Sequence, residues 1–235
     1  GTITISKDVT GDYFASFQLG SDEPFVEAFA HTGKEIGIDL NIENFYADSN
    51  GVILDNPSYY RKQKQRLINA QRKLSRRIVR AKKEHRPLCQ AKNIEKQRQI
   101  LAELTSAVKR RRREFLQRTS TTLIKNHDLV AAEELRSKNM LKNHALAMCL
   151  QDNGWRIFLN MLEYKAKLHQ RQFVTVDPKN TTQTCHNCGH VMRGEQKLTL
   201  RDREWTCPVC GMHHIRDINA AKNILAKGKA KLGIT

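Results

Sequence analysis

Three carboxylates occupy positions where a carboxylate is costly. Asp39 interrupts the apolar run Ile36-Gly37-Ile38-Asp39-Leu40, Glu133 follows Val130-Ala131-Ala132, and Asp217 precedes Ile218-Asn219-Ala220-Ala221. An ionised group among apolar neighbours needs a metal or a paired cation to offset its lost hydration. Brought to one sheet edge, the three would repel one another, and two divalent ions would relieve that repulsion. All-oxygen ligands select Mg2+ or Mn2+ over zinc. Such an ion pair serves phosphodiester hydrolysis, one ion activating water and the other stabilising the leaving oxygen. Asp39 is the candidate bridge between the ions, with Glu133 and Asp217 each holding one side. Plainer roles compete: a turn or salt-bridge residue at Asp39, and a helix N-cap at Asp217. Glu134 competes with Glu133, but strand alternation sends the two to opposite faces, so only one reaches the site.

A second constellation is made of sulfur. Cys185-His186-Asn187-Cys188-Gly189 and Cys207-Pro208-Val209-Cys210-Gly211 are two matched knuckles, with 18 residues between Cys188 and Cys207. Four thiolates at this spacing predict one structural zinc ion in a ribbon, with no coordination position left open for catalysis. Iron and a redox dithiol fit the matched pairs less well. His186, His190, His213 and His214 are spare ligands that the cysteines should outcompete. Cys89 and Cys149 stand alone, so a metal site in a reducing compartment fits better than a disulfide framework.

The carboxylates need strands and a helix to position them. Residues 36–54 read as a strand carrying Asp39, a return through Phe45-Tyr46-Ala47, an Asn50-Gly51 turn and a third strand. A hairpin with Asp in its first strand suggests a ribonuclease H-like sheet. Asp128 to Leu135 reads as the strand delivering Glu133, and Phe173 to Asp177 as another, ended by Pro178. Ser137 to Asn153 reads as a polar loop or short helix. A helix from about Trp155 to Gln170 packs by Trp155, Phe158, Leu159, Leu162, Ala166 and Leu168. A last helix starts near Asp217, where its dipole tolerates the charge, and sets Asp217 and Ala221 on one face. Upstream, residues 2–18 read as a hairpin, and residues 23–35 as a linker with a short strand.

Charge marks the partner. The 235 residues hold 41 Lys and Arg against 24 Asp and Glu, a net charge of +17. From Arg61 to Arg113 there are 20 basic and 3 acidic residues, so the surplus lies in this segment and the rest balances. The segment reads as two long antiparallel helices, opened by Pro57 and broken near His85-Arg86-Pro87, with Leu67, Leu74 and Ile78 in a thin apolar seam. Arg76, Arg77, Arg80, Lys82, Lys83 and Arg110, Arg111, Arg112 and Arg113 form its outer face. Without interleaved aromatics, such a face suits phosphate binding rather than base stacking. The sequence shows no leader and no run of membrane-spanning length.

Several stretches together resemble the TnpB family, transposon-encoded RNA-guided nucleases related to type V CRISPR effectors. They are Gly37-Ile38-Asp39-Leu40, Asn56-Pro57-Ser58-Tyr59-Tyr60, Leu74-Ser75-Arg76-Arg77, Glu133-Glu134-Leu135, Leu141-Lys142-Asn143-His144, Asp152-Asn153-Gly154-Trp155, Leu162-Glu163-Tyr164-Lys165-Ala166, Asp177-Pro178, both cysteine knuckles and Arg216-Asp217-Ile218-Asn219-Ala220-Ala221. The resemblance spans about residues 34–228. It implies an α/β, ribonuclease H-like (RuvC-like) mixed sheet with a long helical hairpin insertion and a small zinc ribbon, with Asp39, Glu133 and Asp217 as catalytic ligands. It implies a guide RNA from the transposon end, a DNA target, no membrane partner, and a prokaryotic cytoplasmic, nucleoid-associated setting. Ile215 stands where the family's Asp-Arg-Asp motif has its first Asp, and Asn41 where Gly is frequent. The expected organisation is a wedge-like segment over 1–33, a nuclease core over 34–178 with the basic hairpin at about 57–127, a zinc ribbon over 179–212, and a final helix and tail over 213–235. The chain then reads either as the catalytic half of a longer protein that carries wedge and recognition domains upstream, or as a shortened member that needs another subunit or a larger RNA. A non-cleaving regulator of transposition and a strand-transferring transposase are the competing readings.

Overall fold

The computed structural model describes residues 2–23, 25–135, 152–199 and 201–234. The expected loop between Ser137 and residue 151, the Leu141 to His144 stretch and Cys149 lie outside the described residues. The chain forms two compact units, Gly1–Phe25 with Ser58–Phe115, and Val26–Pro57 with Leu116–Thr235. Among the described residues no helix is long and apolar enough to cross a membrane.

In the first unit, strands β1 (Ile3–Lys7) and β2 (Tyr13–Phe17) pair antiparallel, Ile3 opposite Phe17. Asp8 fixes the turn by accepting the backbone N–H of Thr10 at 2.8 Å and of Asp12 at 3.0 Å. Helix α1 (Tyr59–Lys83) reverses through residues 84–91 into α2 (Lys92–Asn126), whose residues from Leu116 onward belong to the second unit. Pro57 lies outside α1, contrary to expectation; Ser58, left-handed at φ 50°, is the N-cap and turns the chain into the helix. The apolar seam is as thin as the sequence implies. Ala81, Ala91 and Ile94 are buried at the reversal, with Leu74, Ile78 and Leu88 against them.

The second unit is built on a sheet. Strands β3 (Glu35–Leu40), β4 (Asn44–Asp48) and β5 (Ile53–Asp55) form an antiparallel meander. Strands β6 (Leu129–Glu133) and β7 (Gln172–Val176) add in parallel, giving the order β5-β4-β3-β6-β7 with β3 in the middle. Helix α3 (Trp155–Leu168) sets Phe158 edge-on to Phe45 at 4.9 Å. The ribbon strands β8 (Glu204–Thr206) and β9 (His213–Ile215) lead into helix α4 (Arg216–Leu232). Asp128, just before β6, ties down one end of the sheet: it accepts from the N–H of Gly33 at 2.7 Å and pairs with the buried Arg171 at 2.6 Å.

Two expectations need correcting. No strand forms among the described residues between Phe17 and Glu35; Leu19, Phe25 and Val26 are exposed there, with no neighbouring strand to cover them. Leu168 is 42% exposed, and Met161 and Lys165 join the buried face of α3 in its place. Lys165 is tolerated there because its ammonium donates to Gln117 O, Ser120 Oγ and Thr121 Oγ1 at 2.7–2.9 Å, although burial lowers its pKa.

Helix α4 determines how the sheet is used. Strand alternation puts Glu35, Gly37 and Asp39 on one face, together with Leu129, Ala131 and Glu133 of β6. Glu35 pairs with Lys229 at 2.9 Å, and Gly37 lies under Ala221 and Leu225. Following the same line, Asp39 comes to the start of α4, where Asp217 is. A Cβ at Gly37 would stand 2.2 Å from Ala221 O and 2.8 Å from Leu225 N, backbone atoms that cannot yield. Gly228 makes the matching approach to Ala131, where a Cβ would meet the alanine Cβ at 2.7 Å. Gly37→Ala is therefore expected to lower unfolding free energy by about 3 kcal/mol through overpacking, seen as a reduced denaturant midpoint.

Candidate active site and metal centre

The three carboxylates meet at the C-terminal ends of β3 and β6. The last registered pair of these parallel strands is Ile38 with Ala132, so Asp39 and Glu133 follow side by side. Asp39 is only 7% exposed. Burial pushes its carboxyl well above the usual range, and the charges of Glu133 and Asp217 push it further, with Arg216 opposing. Burial also raises Glu133; a hydrogen bond from Thr181 and the charge of Lys227 oppose that, while Asp177 adds to it. Glu134, one residue on, is exposed and outside the cluster.

Asp217 occupies the first turn of α4, where unpaired N–H groups favour an anion. Its carboxylate pairs with Arg216 at 3.0 Å and stands 3.8 Å from Arg203, which also holds Glu43 at 2.7 Å. A cavity of about 490 Å3 opens here, lined by Asp39, Asn41, Lys197, Thr199, Arg216 and Asp217 among others. Its wall thus mixes carboxylates with cations, as suits a charged backbone and the ions that accompany it. Among the described residues the carboxylate oxygens do not close to the mutual 4.8 Å reached by the cysteine sulfurs. Buried like charges, all on oxygen, fit a pair of hard divalent cations.

Sequence reading missed the groups that brace this cluster. Thr181 is 2% exposed, and its hydroxyl donates to Glu133 Oε1. Asn223 of α4 donates to Thr181 O at 2.8 Å and to Thr184 O at 2.7 Å. Asn219, one turn earlier, donates to Thr184 O at 2.8 Å and accepts the N–H of His186 at 2.9 Å. Lys227 Nζ closes the same loop on Asp177 O at 3.1 Å and on Lys179 O. The signal was in Asn219-Ala220-Ala221-Lys222-Asn223: two amides four residues apart share a helix face with small residues that must be buried.

The cysteines converge as expected. Sγ atoms of Cys185, Cys188, Cys207 and Cys210 all lie within 4.8 Å of one another. Each knuckle closes on its glycine, Gly189 N–H on Cys185 O at 2.8 Å and Gly211 N–H on Cys207 O at 2.9 Å. Both glycines have positive φ, 76° and 69°, the left-handed region that suits glycine. The His190 amide opposes it, but burial and the neighbouring sulfurs push the Cys188 thiol up to about 12. A hydrogen bond from Asn187 leads the causes that bring Cys210 down to about 6. Four sulfurs this close cannot all ionise without a cation among them, which is the donor set of a tetrahedral zinc ion. Of the spare histidines, His214 comes within 3.0 Å of Cys185 Sγ, and none joins the cluster. Cys89 is exposed and apart.

The cations of the helical hairpin are unequal. Arg76, Lys82, Lys83, Arg111 and Arg113 are exposed, whereas Arg112 is partly buried. Arg77 donates to Asn93 O at 2.5 Å, Arg80 pairs with Glu84 at 2.8 Å, and Arg110 stands 3.7 Å from Asp12. Surface pairs of this kind are weak and leave guanidinium groups open to a phosphate.

Comparison with known proteins gives these features a family. The profile described as "Probable transposase" matches residues 16–144, more than half of the chain, and the one described as "Cas12f1-like, TNB domain" matches residues 155–224. The chain belongs to the TnpB/Cas12f-like family. A Streptomyces pristinaespiralis protein, named provisionally as an RNA-guided DNA endonuclease, is 38% identical over 97% of this chain and 53% of its own length. InsQ of Escherichia coli K12, named in the same way, is 28% identical over 98% of this chain and 57% of its own. The chain therefore spans about half the length of the curated relatives it matches. The solved structure titled as a Cas12f1-sgRNA-target DNA complex superposes with a TM-score of 0.52 at 18% identity, over 95% of this chain and 55% of that one. In this TnpB/Cas12f-like chain the mixed sheet with α4 is the RuvC-like core, and the four cysteines are the zinc-binding cluster.

Proposed function

We propose that this chain carries the cleavage centre of an RNA-guided DNA endonuclease, with Asp39, Glu133 and Asp217 as its catalytic carboxylates. The observation that carries the reading is the buried Asp39 facing the charges of both other carboxylates. Two Mg2+ or Mn2+ ions held by these residues would supply an activated water and a charge partner for the leaving oxygen. Asp39 would be the ligand shared by the two ions, since its buried carboxyl feels the charges of both Glu133 and Asp217. Lys197, Arg203 and Arg216 stand beside the carboxylates, where they can hold a DNA phosphate against the cluster and orient it. Guide RNA and target DNA are the partners this reading requires. The relatives' names support it, as does the excess of positive charge between Arg61 and Arg113. In domain terms, residues 34–178 and the last helix from Arg216 make the nuclease core, and residues 179–215, with β9 paired to β8, the zinc ribbon. The basic hairpin at about 57–127 grips phosphates.

The test is Mg2+-dependent cleavage of labelled DNA by the full-length protein with its copurified RNA. No cleavage with Mg2+ or Mn2+ would end the reading. The hairpin makes a separate prediction. Replacing Arg76, Lys82, Lys83 and Arg111 by Ser is expected to flatten the slope of log affinity against log salt by about one unit for each phosphate no longer gripped. An unchanged slope in a binding titration would remove the hairpin from the interface.

A further inference from the structure

We infer that Thr181 is a positioning residue for Glu133, and that it links the carboxylate site to the first cysteine knuckle. This rests on the proposed role of Glu133 as a metal ligand. Thr181 is buried on the loop between β7 and the ribbon, and its hydroxyl and its carbonyl bond to different elements. The hydroxyl lies against Glu133 Oε1 and also 3.0 Å from Pro178 O. A hydroxyl has one proton to donate, and the charged carboxylate is the stronger acceptor. Its carbonyl accepts from Asn223, which also holds Thr184 O. Thr184 O accepts again from Asn219, whose side-chain oxygen takes the N–H of His186, the residue after Cys185. A continuous path of hydrogen bonds thus runs from the first knuckle of the ribbon, over one face of α4, to the carboxylate at the end of β6.

The path has a physical use. Glu133 ends its strand, where a carboxylate has several rotamers to choose from. One hydroxyl on one oxygen selects among them and leaves the other oxygen for a cation. Partners of this kind orient metal ligands, and their loss typically reduces metal affinity or activity about 10- to 100-fold. Thr181→Val keeps the shape and removes the donor, whereas Thr181→Ser keeps the donor.

The experiment uses the full-length, zinc-loaded protein and two readouts, Mn2+ binding by calorimetry and cleavage rate against Mg2+ concentration. For Thr181→Val we expect Mn2+ affinity about tenfold weaker, a half-saturating Mg2+ concentration raised by a similar factor, and partial recovery of rate at high Mg2+. Thr181→Ser should restore both, and zinc content should be unchanged in either variant. Thr181→Val with wild-type Mn2+ affinity and Mg2+ dependence, while Asp39→Ala loses Mn2+, would overturn this inference alone. A wild-type protein that neither binds Mn2+ nor cleaves would overturn the underlying reading, and this inference with it. A lower kcat for Thr181→Val with metal affinity unmoved would show that the hydroxyl supports the fold and does not orient the ligand.

Discussion

Asp39→Asn is expected to abolish cleavage and, in the same protein, raise the melting temperature when divalent ions other than zinc are withheld. The loss of cleavage should exceed about a thousandfold, or about 4 kcal/mol of barrier, since the ligand proposed to be shared by both ions is removed. The gain in stability follows from the carboxyl's surroundings. Burial and the charges of Glu133 and Asp217 raise the folded-state pKa of Asp39 above its unfolded value. Below the ordinary carboxylate pKa both states are protonated and the residue is neutral to stability. As pH rises past that value the unfolded chain ionises first, so the folded state loses ground until its own pKa is passed. Asp39 should therefore lower the wild-type melting temperature as pH rises from about 4, and the Asp39→Asn variant should show a shallower decline, because the raised Glu133 is still present. Adding Mg2+ should restore wild type and leave the variant unmoved. A thermal-melt series over pH, with and without Mg2+, reads all of this. Equal cleavage by both proteins would remove Asp39 from the mechanism.

The second large effect concerns zinc. Cys207 is 1% exposed and its sulfur sits within the cluster. Cys207→Ser is expected to lose bound zinc and, with it, most of the order of residues 179–212. Structural zinc supplies about 10–16 kcal/mol of apparent folding free energy in small metal domains. A short two-stranded sheet with a core of Cys185, Met192, Trp205 and Cys207 has little to replace that. Hydrogen exchange is the suitable measurement. Amides of β8, β9 and both knuckles should lose protection in the variant, while β3 and β6 keep theirs. A variant retaining one zinc per chain and a protected ribbon would show that three cysteines and His214 suffice.

What could be read from the sequence depended on how local the constraint was. The cysteine knuckles carry their spacing and their glycines within five residues each, so the four-sulfur cluster was legible, whereas the strand β9 that closes the ribbon beyond residue 212 was not. Asp39 was legible because it interrupts an apolar run, and β3 is indeed the middle strand. Thr181 was not, since it looks like an ordinary polar residue until tertiary structure puts it opposite its partner, and Asn219 and Asn223 showed only as two amides on one helix face, without their partners. Arg203 was hidden for the same reason, being 14 residues from Asp217 in sequence and across a ribbon turn in space. Lys165 went unseen because a lysine on an amphipathic helix normally faces water, and the three acceptors that hold it belong to another helix. Leu168 was misread for the complementary reason: hydrophobicity places a residue inside only where a neighbour exists to cover it.

The close approach of Gly37 to Ala221 also bears on how the protein is made. Asp39 and Glu133 leave the ribosome long before the helix that bears Asp217, and that helix reaches its seat only after the ribbon has been synthesised. A nascent or prematurely terminated polypeptide stopping anywhere upstream of residue 217 lacks the third carboxylate altogether. Chain order by itself thus keeps an unfinished translation product from carrying all three of the proposed metal-binding carboxylates.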